Sequence, residues 1–114
     1  MRYLRNIIVN CAVVSTLAAS TFPAPAGTGE GLVHGIAVVN TAVVITVDTH
    51  VDKPVCDKYT NQFEFDVGTD SGKAYLATVL VAANAKIRIR VIGAGTCAAP
   101  AGRRENVGYI ETYY

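Results

Sequence analysis

The chain has no tryptophan and only two histidines and three cysteines among its 114 residues. It contains no C-x-x-C pair, which leaves a redox or catalytic thiol without its usual motif. It contains no H-E-x-x-H, which removes the commonest zinc-hydrolase signature. Beyond residue 26 the single serine is Ser71, and both histidines, His34 and His50, lie far upstream of it. A Ser-His-Asp triad has little to draw on. Charge of one sign is lacking too. The formal net charge is +1, and removal of Arg2 and Arg5 with a leader would bring it to −1. A near-neutral chain gives no electrostatic case for nucleic acid, and there is no polybasic membrane patch. No repeats and no N-x-[ST] acceptor occur after residue 26.

What is present starts with a leader. Arg2 and Arg5 form a basic segment, and Ile7 to Ala19 form an apolar run. That run is too short for the roughly 20 residues a membrane-spanning helix needs. Small residues follow, and Ala24-Pro25-Ala26 fits an A-x-A cleavage site. The reading is a signal peptide over residues 1–26 and a single mature domain over 27–114, secreted or periplasmic. Cleavage after Ser20, which would leave a Thr21-to-Ala26 tail, and an uncleaved anchor are the alternatives. Cys11 lies inside the apolar run behind Asn10 and lacks a lipoprotein context. Cleavage leaves Cys56 and Cys97, and in an oxidising compartment these two are expected to form one disulfide.

Local patterns place the elements. Gly27 to Gly31 reads as a loose glycine-rich lead. Ile36 to Asn40 and Ala42 to Thr49 are β-branched and read as two strands broken at Asn40-Thr41. Val51 to Asn61 is a polar loop. Gln62 to Val67 alternates, with Phe63, Phe65 and Val67 inward and Glu64 and Asp66 outward. Leu76, Val79, Leu80 and Ala83 then fall on one helical stripe. The helix is expected over Ser71 to Ala83, capped by Thr69 or Asp70 and ended by a left-handed Asn84. Lys86 to Ile92 returns to alternation, with Arg88 and Arg90 outward and expected opposite Glu64 and Asp66. Asn106 to Tyr114 is the last strand. Five strands with one helix between the third and fourth (β-β-β-α-β-β) is the order of an OB-like Greek-key barrel. An open antiparallel α+β sheet has the same order and is the alternative.

From Phe63 to Tyr114 the chain resembles a family of small secreted bacterial proteins of largely unknown function. The residues that carry the resemblance are Gly72-Lys73-Ala74, Gly93-Ala94-Gly95-Thr96-Cys97 and Glu105-Asn106-Val107-Gly108-Tyr109-Ile110. More loosely, size, leader, disulfide and element order are similar to the B subunits of AB5 toxins. That likeness implies an OB fold, a homo-oligomeric ring and binding of host glycans. It transfers no glycan-binding residue. The chain departs from some of those subunits in that its cysteines tie two loops rather than an N-terminus to a late strand.

Several local constellations remain. Gly68 to Lys73 joins a strand to a helix, but only three residues separate its glycines and Ala74 stands where a P-loop needs Ser or Thr. Asp48, His50 and Asp52 alternate and would share a strand face as metal ligands, but three polar residues entering a loop are usually a solvated strand end, and no metal or cofactor is expected. Tyr59, Tyr109 and Tyr113 offer flat faces with a hydroxyl, suited to sugars and protein interfaces. Arg88 and Arg90 could meet an anionic sugar. The expectation is a non-catalytic secreted binding protein for a host glycan. The alternative is a monomeric secreted or periplasmic protein that binds or inhibits a partner protein.

Overall fold

The computed structural model describes residues 25–98 and 100–114. The leader read over residues 1–26 therefore lies, except for Pro25 and Ala26, outside the described residues. The chain forms β1 (Thr28–Gly31), β2 (Gly35–Val39), β3 (Ala42–Thr46), β4 (Thr49–Val51), β5 (Gln62–Asp66), α1 (Asp70–Ala85), β6 (Arg88–Gly93) and β7 (Glu105–Tyr113). The strands make one curled, mixed sheet in the order β2-β3-β5-β7-β6-β1-β4. All neighbours are antiparallel except β5 and β7, which run parallel on either side of the helical crossover. The molecule is thus mainly β with one helix.

The inner face carries the core. Val43 and Ile45 on β3 lie opposite Phe65 and Phe63 on β5, and Ile89 and Val91 complete the apolar surface from β6. The helix closes it with Val79 and Ala82, both buried. Thr69 is the N-cap and its side chain accepts a hydrogen bond from the Gly72 amide at 3.0 Å. The helix ends two residues later than the pattern predicts, with Lys86 rather than Asn84 in the left-handed conformation. Leu80 is half exposed, so the buried stripe runs through Gly72, Val79 and Ala82 instead.

Four expectations need correction. The Gly27-to-Gly31 lead is not loose: Thr28–Gly31 is a strand paired on both sides, to β4 and β6. Its glycines make room for the core, because a Cβ on Gly29 would lie 2.4 Å from a ring carbon of Phe63. Seven strand segments replace the five read from the pattern, because the glycine-rich lead adds β1 and a break at residues 47–48 divides the expected Ala42-to-Thr49 strand into β3 and β4. Glu64 does not face solvent. It is fully buried, and the Gly102 amide is 3.4 Å from its carboxylate. Finally, β7 separates β5 from β6, so Arg88 and Arg90 do not oppose Glu64 and Asp66. Arg90 instead lies opposite Glu30 and Glu111.

The disulfide joins Cys56 to Cys97 with Cα atoms 5.9 Å apart. It ties the loop before β5 to the loop after β6. A second link between these loops is the Lys58 amide donating to the Arg103 carbonyl at 3.0 Å.

Candidate functional site

Residues directly opposite in a ladder share a face. Ile89 and Val91 point into the core, so Arg88, Arg90 and Ile92 lie on the outer face. Their partners are Tyr113, Glu111 and Tyr109 on β7. A register shift between Ile92 and Gly93, where Gly108 is the extra residue, sets this phase. Without it Tyr109 and Tyr113 would point inward, because Val107 on the other side of the shift is a core residue. The outer face of β6 and β7 therefore carries two tyrosines, each about half exposed, beside two arginines and a glutamate. Glu30 extends it onto β1, opposite Arg90.

These groups are electrostatically coupled. The Tyr113 hydroxyl donates to Glu111 Oε2 at 2.8 Å. That bond to a carboxylate raises the Tyr113 pKa above its ordinary value, so the hydroxyl stays protonated. Arg90 Nε lies 3.5 Å from Glu30 Oε1. The neighbouring Tyr113 hydroxyl, then Glu111 and Glu30, raise the Arg90 pKa and hold the guanidinium charged. Tyr59 is the one candidate aromatic placed elsewhere. It sits in the disulfide-tied loop with the Arg104 guanidinium 3.7 Å from its ring centroid, a stacked pair that already occupies that face.

A second cluster is one that local sequence patterns do not reveal. His50, Asp57 and Glu105 meet with fully buried side chains. His50 Nε2 is 2.7 Å from Glu105 Oε1, and its ring stacks on Phe63 at 3.8 Å between centroids. His50 Nδ1 lies 3.5 Å from Asp57 Oδ2, which itself accepts the Glu105 amide at 3.0 Å. Glu105 Oε2 also accepts from Gly27 N and Gly95 N, each at 2.9 Å. Two acids and an imidazole resemble a proton relay in composition. Their burial and the backbone donors around them make them a polar clamp on β1, β4, β7 and the tied loops. The partners are 55 and 48 residues apart in sequence, so no local period marks them.

No family model, curated protein or solved structure matches the chain.

The Asp48, His50, Asp52 trio is not brought together. His50 turns inward to Glu105, whereas Asp48 pairs with His34 at the surface and accepts the Leu32 amide at 2.8 Å. The hydrogen bond from His34, then that from Leu32, lowers the Asp48 pKa below its ordinary value. Asp52 is exposed in a left-handed turn position. The Gly68-to-Lys73 segment is the turn and first residues of α1, where Gly68 N donates to Asp66 Oδ1 at 2.7 Å. An open cleft of about 390 Å³ lies beside it, lined by Phe65, Asp66, Thr69, Tyr75 and Asn106 among others. A groove of about 320 Å³ runs between the far end of α1 and β7, past Val81, Ile87 and Tyr114.

Proposed function

We propose that this is a secreted, non-catalytic binding domain whose ligand face is the outer surface of β6 and β7, and whose ligand is a glycan bearing an anionic sugar. The observation that carries the reading is the placement of Tyr109, Tyr113, Arg88 and Arg90 on one face. Half-exposed tyrosines supply flat apolar contact plus a hydroxyl, and a guanidinium pairs with a carboxylate in bidentate fashion. Glu111 and Glu30 give the same face acceptors for sugar hydroxyls. The Cys56–Cys97 disulfide fits an oxidising compartment. Among the described residues no helix is long and apolar enough to cross a membrane.

The fold part of this proposal is an OB-type barrel. β1 with β2, and β3 with β4, are each separated by three residues or fewer and would be halves of two bent strands. Counted that way, there are five strands. The first pairs with the second and the fourth, the third with the second and the fifth, and the helix falls between third and fourth. That circuit supports an OB-type Greek key. Fold type alone carries no ligand, so the glycan reading stands on the outer-face residues.

A glycan array printed with neutral and sialylated oligosaccharides tests the function. The wild-type protein is expected to bind sialylated members, and the Tyr109→Ala/Tyr113→Ala protein is expected to lose that binding at least tenfold. No binding by a folded wild-type protein contradicts the reading.

One observation favours the alternative, a binder of proteins. β2 is an edge strand with Val38 and Val39 each about 60% exposed, an open template for a further strand. Native mass by light scattering separates the two readings. A ring-sized species supports the ring-forming glycan binder, and a monomer supports a protein that binds a partner through that edge.

A further inference from the structure

Gly27 occupies a position with two independent meanings. It follows the A-x-A site at Ala24-Pro25-Ala26, and its nitrogen points at the buried Glu105 carboxylate. The distances are 2.9 Å to Oε2 and 3.2 Å to Oε1. The Gly27 carbonyl accepts the Gly93 amide at 2.8 Å, which pins the residue in place. A side chain at this seat would force its neighbours to shift: a Cβ there would lie 2.4 Å from Glu105 Oε1, 2.7 Å from His50 Nε2 and 2.9 Å from the Val51 carbonyl. Pro25 and Ala26 are exposed.

The charges around that nitrogen are unequal. His50 from β4, Asp57 from the following loop and Glu105 from β7 are buried together. The cluster holds two carboxyl groups against a single imidazole, so acidic groups outnumber basic ones. An uncompensated buried charge is costly. A peptide N–H supplies one donor and no charge, whereas an α-ammonium supplies three donors and the missing positive charge.

We infer that cleavage between Ala26 and Gly27 completes this fold, by turning the Gly27 nitrogen into an ammonium that forms a buried ion pair with Glu105. The inference rests on the export reading of residues 1–26. The covalent step is hydrolysis by a signal-type endopeptidase of the export machinery. Water adds across the Ala26–Gly27 peptide bond, the C–N bond breaks, Ala26 leaves as a carboxylate and the Gly27 amine takes up a proton. The sequence of the mature start and the position of Glu105 are then one design: a chain cut elsewhere leaves the cluster one charge short.

The sign of the amine's titration separates this from simple burial. Burial alone disfavours the charged amine and lowers its pKa, while an opposite charge in contact raises it by about 1–3 pH units. A raised amine stabilises the fold at neutral pH and loses that contribution as pH climbs through the raised value. The experiment exports the full precursor from a bacterial host and determines the start of the recovered protein by mass spectrometry. The titration midpoint of the N-terminal glycine is then followed by NMR of carbon-labelled glycine. The expected result is a start at Gly27 and a midpoint at least about one pH unit above the ordinary α-amine value near 8. In Glu105→Gln the midpoint is expected to fall back, and if that variant does not fold the wild-type midpoint still decides. A start at Thr21, or an intact leader, overturns both the export reading as drawn and the ion pair. A start at Gly27 with a midpoint at or below the ordinary value overturns the ion pair and leaves the export reading standing.

Discussion

Gly29 shows what a missing side chain does in this molecule. A strand is a poor place for glycine on propensity, yet Gly27, Gly29 and Gly31 in and beside β1 pack against Glu105, Phe63 and Asp48 in turn. Gly29→Ala is expected to destabilise the protein by ~1–3 kcal/mol through overpacking against Phe63, read as a lower urea midpoint with an unchanged slope. The same logic explains why a glycine-rich lead resembles a loop in sequence. Composition reports backbone freedom, and only the fold shows which neighbour needs the space. Asp48 gives a pH-dependent counterpart. Its pKa is lowered by His34 and the Leu32 amide, so its contribution is present above the ordinary carboxylate value and fades as pH falls through the lowered one. Asp48→Asn is therefore expected to melt below the wild type at neutral pH, with the gap closing in acid, measured as Tm against pH.

At the scale of elements, α1 and β5 are legible from their periods because each has one continuous apolar surface. The start of α1 is legible to within one residue, since Thr69 and Asp70 can both cap a helix and the structure places Thr69 at the cap. The stripe is legible only in part: Val79 is buried as expected, but Leu80 turns out to the solvent and Ala82 replaces it. Helix phase is set by what the helix packs on, and that surface is built by strands far away in sequence. The burial of Glu64 escapes the pattern for a related reason, since alternation marks a second face without saying whether loops cover it. The cover depends on the Cys56–Cys97 bridge, which closes a loop with a sequence separation of 41. Cys56→Ala/Cys97→Ala is expected to cost ~2–4 kcal/mol. Hydrogen exchange should show the added opening in residues 52–61 and 94–104 before β6, because those loops lose their main tie.

For the whole molecule, a mainly β chain with one helix between strands is legible in the order of periods. The curl of the sheet and its seven segments are not, because β1 is glycine-rich and the break at residues 47–48 leaves no local mark in a β-branched run. The candidate face is half legible. Tyr109 and Tyr113 share it, as a regular strand end would have them, but the register shift at Gly93 decides which side of the sheet that is. Binding of an anionic glycan by this outer face is open to amide NMR of the labelled protein titrated with sialyllactose. Saturable shifts centred on residues 88–92 and 109–113 are expected, abolished in Tyr109→Ala/Tyr113→Ala. Absence of saturable shifts, or shifts confined to the cleft beside the start of α1, would contradict it.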